Sequence, residues 1–99
     1  MGFNRPSFRT GQNTLAAAGT AEQCTAATVV QGIRVVIRSR STNTGLLYIG
    51  YSKADAELNN FSIIPAGSIA LLVDSVGDVW VDAAETGDIV EWIYEVPTE

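Results

Sequence analysis

Ile33, Val35 and Ile37 alternate with Arg34, Val36 and Arg38, and this period of two limits the chain more than any other feature. Successive side chains of a strand point to opposite faces, so apolar residues at every second position bury one face of an extended segment and leave the other partly wet. Further short apolar segments follow at Leu46 to Tyr51, Phe61 to Ile64, Ile69 to Asp74, Val79 to Ala83 and Ile89 to Val96. Turn formers lie between them: Ser41-Thr42-Asn43-Thr44-Gly45, Pro65-Ala66-Gly67-Ser68, Ser75-Val76-Gly77-Asp78 and Ala84-Glu85-Thr86-Gly87-Asp88. Strands this short, separated by turns at intervals of about 8 to 12 residues, predict an all-β fold, an antiparallel sandwich or a barrel. Residues 33–38 and 46–51 are expected to form a hairpin across the polar loop at 41–45. Two weaker strands are expected at Thr14 to Ala18 and Glu22 to Thr25, although an alanine run also suits a helix. Lys53 to Asn60 reads as one helical turn or as a loop, and no helix longer than about two turns is expected.

Ninety-nine residues suit one domain, with a core small enough for association to add stability. The domain is expected over residues 13–99, preceded by an extended arm over 1–12 that has no apolar periodicity and contains Pro6 and Gly11. Phe3, Arg5, Phe8 and Arg9 make that arm ambiguous. It reads as a mobile terminus, or as an attachment device in which the phenylalanines anchor and the arginines pair with acids on a capsid or a neighbouring subunit.

Composition argues against several functions. The sequence holds no histidine and one cysteine, so the commonest general base is missing, and one chain can make neither a disulfide nor a thiolate metal cluster. Cys24 is expected to be a small buried apolar residue. The carboxylates Asp74, Asp78, Asp82, Glu85 and Asp88 fall at expected strand ends and turns, where Asp caps loops more often than it catalyses. They do not follow the ligand spacing of a calcium loop. No catalytic, metal-binding or cofactor-binding residue is assigned. No apolar run is long enough to span a bilayer, and the polar start lacks the apolar stretch of a secretory signal, so synthesis in a cytoplasm is expected.

The charge is uneven. Residues 1–53 carry all six basic residues against the single acid Glu22, whereas residues 54–99 carry ten acids and no base. Strand pairing within one domain could absorb this imbalance, or one subunit could meet the next. Arg34, Arg38 and Arg40 share a strand face that phosphates could also occupy, yet the acidic chain and the lack of interleaved aromatics argue against nucleic acid. In the last strand Val90, Trp92, Tyr94 and Val96 are expected inside, because aromatics carry the largest apolar area. Ile89, Glu91, Ile93 and Glu95 are then left on a mixed outer face, a subunit contact or ordinary exposed surface. Arg34, Arg38, Arg40, Ile89, Glu91 and Ile93 are the candidate subunit interface. A head-to-tail ring, with a trimer favoured, would let the arginines of one copy meet acids of the next.

From about Asn13 to Glu95 the chain resembles small bacteriophage virion modules. The segments that carry the resemblance are Gly19-Thr20-Ala21-Glu22-Gln23, Gly32-Ile33-Arg34-Val35-Val36-Ile37 and Asn43-Thr44-Gly45-Leu46-Leu47-Tyr48-Ile49-Gly50. They continue with Ile64-Pro65-Ala66-Gly67-Ser68, Val79-Trp80-Val81-Asp82-Ala83 and Thr86-Gly87-Asp88-Ile89-Val90. Each piece also has a local reason in strand and turn chemistry; their order and spacing carry the likeness. The resemblance implies a jelly-roll-like antiparallel β-sandwich and a non-enzymatic virion part. The expected part is a capsid decoration (cement) protein that binds the major capsid protein on the particle's outer surface, often on local threefold axes. The alternative it leaves open is a head-fibre or tail adhesion module for a host receptor or glycan. Tyr48, Tyr51 and Trp80 are the aromatics available for a glycan site.

Overall fold

Eight strands, one short α-helix and one 3-10 turn make up the computed structural model, which describes residues 7–97. The strands are β1 (Ser7–Thr14), β2 (Glu22–Gln23), β3 (Arg34–Ser39), β4 (Leu47–Gly50), β5 (Ser62–Ile63), β6 (Ser68–Leu72), β7 (Trp80–Ala83) and β8 (Ile89–Val96). The helix α1 (Lys53–Glu57) lies between β4 and β5. The fold is all-β, with two antiparallel four-stranded sheets in the orders β1-β8-β3-β6 and β2-β7-β4-β5. The first strand pairs with the eighth, the second with the seventh, the third with the sixth and the fourth with the fifth. Two further pairings, β3 with β8 and β4 with β7, complete the sheets.

Both sheets feed one core. Val35 and Ile37 of β3 and Val90, Trp92 and Tyr94 of β8 come from the first sheet, and Leu47, Val81 and Ala83 come from the second. Leu15, Cys24, Val29, Val76 and Val79 add to this core from the connections. Each fully buried Val, Leu or Ile contributes roughly 1.5–3 kcal/mol relative to an exposed one, so the period-two residues dominate the stability. The expected inward face of β8 is observed, with Val90, Trp92 and Tyr94 buried and Val96 half-buried.

Four expectations are corrected. Residues 33–38 and 46–51 do not form a hairpin, because β3 and β4 lie in different sheets. The intervening segment is long enough to cross between sheets, and β4 is apolar on both faces for another reason: α1 packs against β4 and β7. The expected arm over 1–12 is also wrong for its second half. Ser7 to Thr14 form an eight-residue edge strand, paired with β8 from Ser7↔Val96 to Thr14↔Ile89. This strand shows no apolar alternation because its ladder to β8 holds it in place, with most of its side chains exposed or half-buried. Gly11 is required where the strand passes Trp92, since a Cβ there would lie within 2.5 Å of the indole. Phe8 and Arg9 therefore belong to the sheet, and Phe3 and Arg5 lie outside the described residues. The expected strand at 14–18 is a loop after Thr14, and the one at 22–25 shortens to Glu22–Gln23.

The helix is held at both ends. Ser52 Oγ accepts from the Asp55 N–H at 3.1 Å, the usual N-cap bond. Glu57 Oε2 accepts from Lys53 Nζ at 2.7 Å and from the Ala21 N–H at 2.8 Å. These bonds draw the Glu57 carboxyl below its usual range, the Lys53 contact most of all. Ala56 is fully buried, and the α1 backbone runs so close over Gly50 that any Cβ there would overlap Ala56 N. Gly50→Ala should therefore lower stability by about 1–3 kcal/mol, the usual cost of overpacking a closed contact. Urea unfolding should show this as a lower midpoint at unchanged slope; an unchanged midpoint would refute the seating of α1 on Gly50.

Candidate interaction face

The outer face of the first sheet is built from rows of side chains that cross its four strands. Cross-strand partners share a face, so the pairings Thr10↔Ile93, Val36↔Ile93 and Val36↔Ala70 lay one apolar row over β1, β8, β3 and β6. Gln12↔Glu91, Arg38↔Glu91 and Arg38↔Ser68 make a polar row beside it. On the other side of the apolar row Phe8 pairs with Glu95 and Arg34 with Leu72. The β3–β8 register, continued by one residue, places Arg34 beside Glu95. The candidate residues Arg34, Arg38, Glu91 and Ile93 thus come together on one face, with Ile89 and Arg40 at its end, where the Arg40 N–H donates to the Ile89 carbonyl at 3.2 Å.

Glu91 organises the polar row. Its carboxylate accepts from Arg38, and Arg40 Nε donates to Glu91 Oε2 at 3.1 Å. The Arg40 guanidinium also donates to Gln12 Oε1, tying β1 to the end of β3. Burial disfavours the Glu91 charge, but the hydrogen bonds and charges of Arg38 and Arg40 outweigh it and leave the carboxyl below its usual range. Two of the three arginines expected to meet acids of a neighbouring subunit are therefore paired within their own chain. Arg34 has no ion-pair partner among the described residues. Between the rows lies an open hollow of about 680 Å³, bordered by Thr10, Gln12, Val36, Arg38, Ser68 and Ile93.

Two buried polar residues, Asn43 and Asp88, position this face. Asn43 Oδ1 accepts from the Ile89 N–H at 2.8 Å, and Asn43 Nδ2 donates to the Ile89 carbonyl at 2.7 Å and to Ser39 Oγ at 2.9 Å. Asp88 accepts from the backbone N–H groups of Thr44 at 3.1 Å and Gly45 at 2.9 Å. The start of β8 is thereby fixed against the turn after β3. The signal was present as Asn-Thr-Gly and Gly-Asp turns, which gave no hint that the two would interlock.

The other candidate groups have structural roles or lie apart. Asp78 accepts from the Ser75 N–H in a capping box around the 3-10 turn Val76–Asp78. Asp82 is buried, with Oδ1 accepting from the Ala83 N–H at 2.7 Å. Cys24 is buried as expected, and burial pushes its thiol up to about 12, so it holds no reactive thiolate at neutral pH. A second cleft of about 250 Å³ is lined by Ile49, Tyr51, Phe61, Leu71 and Val73 among others. Tyr51 borders it, whereas Tyr48 and Trp80 do not.

Because the Glu91 carboxyl sits below its unfolded range, its stabilising effect is complete at neutral pH and is lost as pH falls through its folded pKa. Glu91→Gln should cost about 1 kcal/mol at neutral pH, a small figure because Arg38 is largely exposed to solvent. It should also flatten the loss of stability on acidification, measured by urea unfolding at a series of acidic pH values. A variant that keeps the wild-type acid slope would show that Glu91 does not carry this charge coupling. Comparison with known proteins returns no matching family model, no matching curated protein and no matching solved structure.

Proposed function

We propose that the chain is a non-enzymatic structural subunit of a bacteriophage particle, a capsid decoration protein that binds the outer shell through the major capsid protein, with its two sheets forming a jelly-roll sandwich. The observation that carries this reading is the pairing order. Strands paired first with eighth, second with seventh, third with sixth and fourth with fifth are the arms of one long antiparallel ribbon turned at β4–β5. Successive pairs alternate between the sheets, as they do when such a ribbon is rolled into an eight-stranded jelly roll, an architecture that recurs in viral capsid domains.

Fold alone does not assign function, because lectins share this architecture. The virion reading adds the resemblance of six ordered segments to phage modules and the use of the acidic loop residues. Asp78 and Asp88 spend their carboxylates on backbone N–H groups, the work of loop supports rather than of general acids. A second reading, a head-fibre or tail adhesion module for a host glycan, is favoured by one observation. Tyr51, 73% exposed, borders a cleft together with Phe61, and an aromatic beside a cleft suits a sugar face.

Copy number separates the two. Quantitative mass spectrometry of purified particles of the encoding phage should find the chain at a fixed, near-stoichiometric ratio to the major capsid protein. A few copies per particle would favour the adhesion module, and absence from particles would refute both.

A further inference from the structure

We propose that the outer face of the first sheet binds the same face of a second copy, about a two-fold axis that runs parallel to the strands between β8 and β3. Charge and shape are ordered within the rows so that this axis matches them. Rotation about that axis keeps each row at its own height and reverses its direction. Glu91 of one copy then faces Arg38 of the other, and Arg38 faces Glu91. In the next row Ile93 faces Val36, and Thr10 faces Ala70. In the third, Glu95 faces Arg34, and Phe8 faces Leu72. Each of these positions follows from the observed registers. The two-fold that runs across the strands fails the same test, since it sets Glu95 over Glu91 and Arg34 over Arg38. One symmetric arrangement is therefore complementary in these three rows, and self-complementarity is what an isologous contact needs.

Three large apolar residues in these rows are exposed. Phe8 is 63%, Leu72 56% and Ile93 42% exposed. Four strands spaced by about 4.8 Å, each presenting about 17 Å of length, offer on the order of 1,000 Å² of accessible surface across two copies. That is the lower bound for a specific interface, so the dimer should depend on concentration and weaken with salt. The hollow beside Ile93 gives the long Arg38 side chain of the facing copy room to reach Glu91 without breaking the pair already made within each chain. The contact is independent of the virion reading, since it follows from the face alone.

Sedimentation equilibrium of the full chain should show a reversible monomer–dimer equilibrium. Ile93→Asp, at a partly exposed position, should weaken it at least tenfold while near-ultraviolet circular dichroism stays native. Arg38→Glu and Glu91→Arg should each abolish self-association, because each puts like charges face to face. An equimolar mixture of the two should associate again, as the altered residue of each meets its opposite in the other. A wild-type chain that stays monomeric to about millimolar concentration, a trimer, an unaffected Ile93→Asp variant or a mixture that remains monomeric would overturn the proposal.

Discussion

Strand β8 lies between β1 and β3 and carries the core on one face and the Glu91–Ile93 surface on the other, so its register decides both at once. A slip of one residue would send Trp92 outward and Glu91 inward. Two local devices prevent this. Asn43 grips the amide and the carbonyl of Ile89 at the strand's first residue, and Trp92 lies over the one position in β1 that has no side chain. The first is strong because Asn43 is buried: a partner left unsatisfied there costs about 1–3 kcal/mol. The second is steric and tolerates no Cβ. Everything on the outer face inherits its geometry from these two fixed points.

The strands with strong alternation were legible in the sequence, and so was the inward face of β8, because period-two burial leaves its mark on every second residue. Lys53 to Asn60 read as a helical turn or a loop, and the helix forms over Lys53–Glu57. The partners of those strands were not legible. Alternation states which face is buried but says nothing about which strand lies alongside, and the expected β3–β4 hairpin followed from adjacency in sequence alone. β1 was hidden for a different reason: an edge strand held by its backbone ladder and contributing few side chains to the core has no apolar rhythm. The candidate face was half legible, as the arginines of β3 and the mixed face of β8 were each recognised, yet only the β3–β8 pairing joins them.

That pairing also accounts for the uneven charge. Among the described residues, every strand pairing joins an element from residues 7–50 to one from residues 62–96. The basic residues of β1 and β3 are thereby set on either side of the acidic strand β8. Arg38 and Arg40 find Glu91 at a separation of about fifty residues in sequence, where the wrong partner of like charge would be repelled. Charge segregated along the chain thus favours these long-range pairs over local pairing of like charges, each contributing about 1 kcal/mol or less.

The pairing of Ser7 with Val96 places the two ends of the described chain side by side, on adjacent strands of one sheet. Polypeptide attached at either point leaves from a single corner, and an entry and exit only one strand spacing apart can be joined by a short link. The domain can therefore be spliced into a surface loop of another protein without prying that loop open, or reopened elsewhere by joining these ends and cutting an exposed turn. For protein engineering it is a cassette with one attachment corner.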